Sequence, residues 1–241
     1  MDEKEVLESL NLPKSTHVLR TFPYVKLATQ FTADEKKVFS EVVEARGVRL
    51  LATINPKTTN ITAYEDEETS YQEIHLFKIK VNQLTRAERI YKIIAEAMPY
   101  PLIIMFEAND HVKWISATHK KIAKTGLLKM DKLFTTDLTI PIERYLEKWA
   151  FAMSDTYNLK TYYDHFIQQI LQVELQQNYQ IHAESSNGME RLEEIKDLEK
   201  QIADYVAKAK REVQMNKRIE WQTKANELKI RLQNTIKGEI K

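Results

Sequence analysis

The chain has 241 residues, of which 43% are hydrophobic and 29% charged, enough for one ordinary domain with an appendage or for two small domains. It contains no cysteine and no run of the roughly 18 apolar residues that a membrane span needs, which excludes disulfides, thiolate metal sites, thiol nucleophiles and membrane insertion through a helix. The 36 basic and 35 acidic side chains nearly cancel, so binding to nucleic acid would require a local cluster of charge.

The N-terminal third predicts short helices and two strands. After an amphipathic helix in the first ten residues, Thr32-Ala-Asp-Glu35 has the form of a capping box and predicts a helix that ends at Gly47. Largely apolar runs then predict a buried strand over residues 48–54 and a second strand over residues 71–81, half exposed at its start. The acidic residues 65–68 are expected to form a loop between them.

The middle of the chain predicts a helix and a hairpin. A second capping-box pattern, Thr85-Arg-Ala-Glu88, predicts the start of a helix that Pro99 closes. Residues 101–118 predict a β-hairpin around the Asn109-Asp110 turn, and a further strand is expected over residues 132–140. These elements predict an α+β (mixed α/β) fold: a compact domain whose central sheet, mostly antiparallel or mixed, is flanked by helices.

The remainder predicts helices. Residues 142–153 and 159–181 are expected to be helical, and a linker rich in serine and asparagine follows. Residues 190–237 contain neither proline nor glycine, so a long helix, a helical bundle or a coiled coil is expected. The predicted division is an α/β domain over 1–155, a helix and linker over 156–187, and a long charged helical or coiled-coil tail over 188–241.

The tail has an apolar stripe and a polarised charge. Apolar side chains at spacings of three and four predict a partner-binding face: Leu192, Ile195, Leu198, Ile202, Val206, Ala209, Val213 and Ile219. Acidic residues prevail over 190–204 and basic residues over 208–231. Such a helix complements an antiparallel copy of itself or another charged helix, and the alternative is a solvated hairpin within the same chain.

A metal-dependent nuclease is the enzymatic alternative. It needs an acidic residue and a Glu-x-Lys pair on a strand, so that two carboxylates hold Mg²⁺ beside a lysine. The candidates are Asp66, Glu73 and Lys78, but His75 stands where the lysine of the pair is expected, and an acidic loop beside an exposed strand explains the same residues.

Other chemical motifs are missing from the sequence. It has no glycine-rich phosphate loop, no Gly-x-Ser-x-Gly elbow and no His-Glu-x-x-His pair, so no cofactor and no metal is predicted. His75, His111 and His119 each lack a carboxylate or a second histidine at ligand spacing, and they are interpreted as surface histidines.

Residues 113–132 form a local basic patch. Lysines bind phosphates without sequence preference, and an adjacent aromatic ring can stack on a base. The patch therefore predicts a nucleic-acid-binding site composed of Lys113, Trp114, His119, Lys120, Lys121 and Lys124. The alternative is a strand edge that lysines protect against pairing with other chains.

Three segments together resemble a prokaryotic family defined as domain of unknown function 4391. They are Ile54-Asn-Pro-Lys-Thr58, Met98-Pro-Tyr-Pro-Leu-Ile-Ile104 with the hairpin that ends in His119-Lys120, and the tail from Leu198-Glu-Lys-Gln-Ile202 to Gln214-Met-Asn-Lys-Arg-Ile219 with Asn226. Members of that family look like accessory proteins encoded beside SNF2-type helicases and adenine-specific DNA methyltransferases, in loci resembling restriction or phage-defence islands. The resemblance implies a setting of DNA and large enzyme partners, and it supplies no catalytic residues.

We therefore expect a cytoplasmic, non-enzymatic accessory subunit of a restriction-type or phage-defence complex. Its partner would be a helicase or a DNA methyltransferase, or a second copy bound through the C-terminal helix. The alternatives are a DNA-binding module that uses the basic patch and the metal-dependent nuclease. The sequence does not specify the molecular activity, the strand order or the DNA preference.

Overall fold

The computed structural model describes residues 2–23, 25–109, 111–136, 138–139, 146–181 and 188–237, without the side chains of Thr139 and Glu147. The chain divides into two compact units, Met1–Ile170 and Leu171–Lys241, which we call the sheet unit and the helical unit. This division lies inside a helix, whereas the sequence placed the boundaries after residues 155 and 187.

The sheet unit is built on one mixed sheet, which confirms the predicted α+β class. Its strands, in spatial order, are β1 (His17–Thr21), β2 (Val43–Ile54), β5 (Ile74–Val81), β6 (Leu102–Ala108), β7 (His111–Lys121) and β8 (Leu128–Thr135). Strands β5 and β6 are parallel, and the other neighbours in this order are antiparallel. The short β9 (Leu138–Thr139) pairs with β7, while β3 (Tyr64–Glu65) and β4 (Ser70–Tyr71) form a separate hairpin. The predicted hairpin of residues 101–118 is confirmed by the pairing of β6 with β7.

Helices cover the sheet. The described helices of this unit are α1 (Glu3–Ser9), α2 (Val25–Ala28), α3 (Ala33–Val42), α4 (Ala87–Ala97) and the first part of α5 (Leu159–Tyr179). Because α4 connects β5 to β6, those two strands run parallel. Helices α3 and α4 bury one sheet face around Phe77, Ile79 and Phe106. Trp114 of β7 packs against Trp149 and Phe166, whose ring centroids lie 5.3 and 5.7 Å from that of Trp114.

One of the two predicted capping boxes is confirmed. Thr32 accepts the N–H of Glu35 at 3.3 Å, and the Glu35 carboxylate accepts the N–H of Thr32 at 2.8 Å. The box at Thr85 is wrong, because a 3-10 turn occupies Leu84–Arg86 and α4 begins only at Ala87, with no side-chain cap. Of the predicted helix at 142–153, residues 142–145 lie outside the described residues, and Glu147–Trp149 and Phe151–Met153 are 3-10 turns.

Gly47 does not end a helix, as the sequence predicted. Helix α3 ends at Val42 and the chain enters β2 directly. A Cβ atom on Gly47 would lie 2.8 Å from the backbone oxygen of Glu44 and 2.9 Å from that of Lys80. The absence of a side chain therefore permits a close backbone approach inside the strand.

Gly47→Ala is accordingly expected to lower the free energy of unfolding by about 1–3 kcal/mol, since the added methyl group meets two backbone oxygens that cannot rotate away. Chemical denaturation at constant temperature measures the change. Gly126→Ala is the comparison: its Cβ would meet nothing within 4 Å, although its φ of +67° makes alanine strained there as well. A Gly47→Ala protein as stable as wild type would contradict the close approach.

The helical unit contains the end of α5, α6 (Gly188–Arg211) and α7 (Met215–Lys237). Helices α6 and α7 form an antiparallel hairpin: Arg191 donates to the carbonyls of Thr235 and Ile236 at 2.9 and 2.7 Å, and the Arg231 guanidinium lies 2.7 Å from the Glu194 carboxylate. The predicted helical tail is thus a pair of helices within one chain. No helix in the described ranges combines the length and the apolar character that a membrane span requires.

Candidate functional site

The three candidate nuclease residues each make their own contacts within the sheet unit. Asp66 lies in the β3–β4 turn, where its carboxylate accepts the Tyr64 hydroxyl and the N–H of Thr69, each at 2.7 Å. Glu73 accepts an amide hydrogen from Asn55 at 2.6 Å and lies 3.0 Å from His75. Lys78 is buried and lies on the sheet face opposite to Phe77 and Ile79. No group of three histidine, aspartate or glutamate side chains among the described residues could hold a metal ion.

His75 belongs to a small hydrogen-bond network of side chains. Its Nε2 lies 3.0 Å from Oε1 of Glu73, and its Nδ1 lies 3.4 Å from the Thr53 hydroxyl. Burial lowers the pKa of His75, and the negative charge of Glu73 offsets part of that effect. This network orients the imidazole next to Tyr100, and the centroids of the two rings are 5.3 Å apart. The prediction of an isolated surface histidine is wrong here, because residues 73 and 75 point to the same side of an extended segment.

Lys78 and Glu107 form a buried ion pair across β5 and β6. The Lys78 ammonium lies 3.0 Å from the Glu107 carboxylate, and the two side chains are 5% and 11% exposed. Burial by itself would raise the pKa of Glu107, but the hydrogen bond and charge of Lys78 help to hold that pKa below its usual value. The pair lies near the carboxyl ends of two parallel strands.

Most side chains of the predicted nucleic-acid patch are buried or form ion pairs within the protein. Trp114 is fully buried, so no base can stack on it, and His119 is 6% exposed. Lys120 pairs with Asp131 at 3.0 Å, and Lys121 pairs with Glu65 at 2.7 Å. Of the remaining candidates, Lys113 is half-buried and Lys124 is exposed, and their contact with nucleic acid stays a prediction.

His119 is buried, and neither of its ring nitrogens has a hydrogen-bond partner among the described residues. The Tyr163 ring lies against it, with centroids 6.1 Å apart. Burial lowers the pKa of His119 to about 4. The surface position that the sequence predicted is therefore wrong for His119, whereas His111 is exposed as expected.

The apolar stripe of the tail is divided between the interior and the surface of the helical unit. Its buried members are Leu192, Ile195, Leu198 and Ala209, and its half-buried members are Ile202 and Val206. Val213 and Ile219 are 93% and 49% exposed. Only the stripe residues near the turn between α6 and α7 are thus available to a partner while the hairpin is folded.

A groove of about 660 Å³ opens between α6 and α7 near that turn. We call it the hairpin groove; it is lined by Val206, Ala209, Lys210, Met215, Arg218, Ile219, Gln222, Ala225, Asn226 and Lys229. Its charged residues are all basic. Met215 is 58% exposed, so apolar and cationic surface alternate along the groove.

The groove cations lack acidic partners. Lys208 and Lys224 outside the groove pair with Asp204 and Glu220, each at 2.7 Å. For the three cations of the groove, by contrast, no ion pair exists among the described residues. The groove is therefore an electropositive, partly apolar surface that suits an acidic ligand.

The apolar stripe and the charge pattern of the tail did not single out Lys210, Met215, Arg218 or Lys229. A detectable signal was present, since none of the three cations has an acidic residue three or four positions away, the spacing at which helical ion pairs form. What the sequence could not indicate is that residues from two helices face one groove.

Comparison with known proteins identifies a family for this chain. No curated protein and no solved structure is similar enough to count as a match. The sequence model of the family described as Domain of unknown function (DUF4391) matches residues 10–232, which include the three segments that suggested it and nearly all of both units. The chain belongs to the DUF4391 family.

Proposed function

We propose that this protein is an accessory interaction subunit that binds an acidic surface of a partner protein through its hairpin groove. The partner that the family setting suggests is a helicase or a DNA methyltransferase of a restriction-type or phage-defence complex. The observation that carries the proposal is that the groove cations, which have no acidic partner among the residues that the structure describes, lie beside exposed aliphatic side chains.

The composition of the groove favours a protein over a nucleic acid. Interfaces between proteins are enriched in methionine and arginine and combine an apolar centre with a polar rim, as Met215, Ile219 and Arg218 do here. Val213, 93% exposed, adds aliphatic surface at the turn. Single-stranded nucleic acids, by contrast, stack on aromatic rings, and the Trp221 ring is already stacked on Tyr205 with centroids 5.7 Å apart.

The test measures binding of the purified chain to the purified helicase or methyltransferase encoded beside it. Reversing two groove charges with Lys210→Glu and Arg218→Glu is expected to weaken binding at least tenfold, because interfacial cations would become anions facing an acidic surface. Val213→Asp is expected to weaken it as well, without loss of stability, since the side chain is almost fully exposed. Titration calorimetry at two salt concentrations gives the affinities.

Lys200→Glu is the matched control, because it makes the same charge reversal at an exposed position of α6 outside the groove. Unchanged affinity of the groove variants would exclude this surface. Binding of duplex DNA that is lost in the charge variants but retained by Val213→Asp would favour the nucleic-acid alternative. Light scattering on the full chain distinguishes a partner protein from a second copy.

A further inference from the structure

A second cleft, of about 410 Å³, lies in the sheet unit near the carboxyl end of β5, where that strand faces the start of β2. We call it the strand-end cleft; it is lined by Glu3, Thr21, Glu44, Ala45, Arg46, Gly47, Arg49, Lys78 and Lys80. The volume lies within the range of small-molecule sites.

An irregularity of β2 forms one wall of this cleft. Val43 pairs with Val81 and Val48 pairs with Ile79, so residues 44–47 of β2 stand opposite Lys80 alone. Arg46 has a φ of +59°, in the left-handed region that a side chain rarely adopts. Bulges of this kind redirect side chains and are frequent beside functional sites. The bulge places Arg46 and Lys80 in the lining of the same cleft.

Two of the four cations of the cleft are already neutralised. The Arg49 guanidinium donates to both carboxylate oxygens of Glu3, at 2.7 and 2.8 Å, and Lys78 pairs with Glu107. These ion pairs hold the base of the cleft in a defined geometry. They do not supply charge for a ligand.

The other two cations, Arg46 and Lys80, are exposed, and neither forms an ion pair with any residue that the structure describes. Of the two acidic residues in the lining, Glu3 is paired with Arg49, whereas Glu44 has no ion-pair partner among the described residues. The cations without partners therefore outnumber the acids without partners. An arginine and a lysine from neighbouring strands present the planar fork and the point charge that together bind phosphate oxygens.

We propose that the strand-end cleft binds a phosphate group of a ligand between Arg46 and Lys80. The phosphate belongs to a small molecule such as a nucleotide or to a nucleic-acid backbone, and the chemistry of recognition is the same for both. This site is in the sheet unit and is independent of the hairpin groove.

The test is calorimetric titration of the full chain with inorganic phosphate, with ADP and with a short DNA duplex. Arg46→Asn and Lys80→Gln remove the two charges, and asparagine tolerates the left-handed backbone of position 46. Each variant is expected to bind at least tenfold more weakly, and the double variant is expected to show no binding. Lys36→Gln, at an exposed position of α3 outside the cleft, is the control and should bind as wild type does.

Tighter binding of ADP than of the duplex would identify a small-molecule site, and the reverse would identify a nucleic-acid phosphate; both outcomes support the proposal. Absence of binding by the wild type to all three probes at millimolar concentration would overturn it. So would equal affinities of wild type and double variant. Because Lys80→Gln changes an exposed side chain, the affinity of this variant tests the phosphate site even if Arg46→Asn alters the bulge.

Discussion

Lys78→Met is expected to lower the free energy of unfolding by about 3–5 kcal/mol, the usual cost of removing one partner of a buried ion pair. The Lys78 side chain is 5% exposed and its ammonium lies 3.0 Å from Glu107. Without that ammonium, less of the desolvation cost of the buried Glu107 carboxylate is offset. The carboxylate then either stays charged at that cost or takes up a proton, which also costs free energy. Urea denaturation at neutral pH, followed by circular dichroism, gives the difference.

The double variant Lys78→Met/Glu107→Leu tests the cause of this loss. It removes both charges, so it is expected to recover most of the stability that the single variant loses. Lys80→Met, on the same strand but exposed, should change the free energy of unfolding by no more than about 0.5 kcal/mol. A double variant no more stable than Lys78→Met would show that packing around position 78, rather than the unpaired charge, determines the effect.

Acidification from pH 7 to pH 4 is expected to destabilise the protein by about 3 kcal/mol through His119 alone. The pKa of this histidine is about 4 in the folded protein, against an ordinary value of 6.5. Between these two values the unfolded chain binds a proton that the folded protein excludes, so stability is complete above pH 6.5 and falls as the pH drops toward 4. The cause is burial, and in the described part of the chain neither ring nitrogen has a hydrogen-bond partner that could stabilise the charged form.

His119→Leu isolates this contribution, because leucine has no ionisable group. The difference in free energy of unfolding between pH 7 and pH 4 should be about 3 kcal/mol smaller in the variant than in wild type. His75 and His165 also have a lowered pKa and are present in both proteins, so their contributions cancel in the comparison. His111→Leu, at an exposed position of the same strand, should follow wild type. Identical pH profiles of His119→Leu and wild type would contradict the buried, uncharged state.

The sequence predicted elements best where a local pattern controls the structure. The Thr32–Glu35 capping box depends on two side chains and two backbone groups within one turn, and it is present. The same pattern at Thr85 failed, because the chain forms a 3-10 turn there before α4 begins. In α5 the spacing of apolar residues agrees with the observed burial: Tyr163, Phe166 and Ile170 are buried, whereas the glutamines between and after them are half-buried or exposed.

The candidate sites could not be predicted to the same extent. Spacing along a strand shows which side chains share a face, but not whether a helix covers that face. Trp114, His75 and His119 were therefore assigned to the surface or to a binding patch, and all three are buried. The pairing of Lys78 with Glu107 depends on the parallel register of β5 and β6, which follows from the strand order and has no local signature.

By itself the sequence excluded cysteine chemistry. It also determined the α+β class, the β6–β7 hairpin and the helical character of the tail, because composition and short-range periodicity control these features. Only the tertiary structure decided that the tail forms a hairpin, that half of its apolar stripe is buried and that Val213 stays exposed. It also decided that a bulge brings Arg46 and Lys80 to one cleft. These features arise from contacts between residues far apart in the chain, whose free energies depend on which surfaces meet.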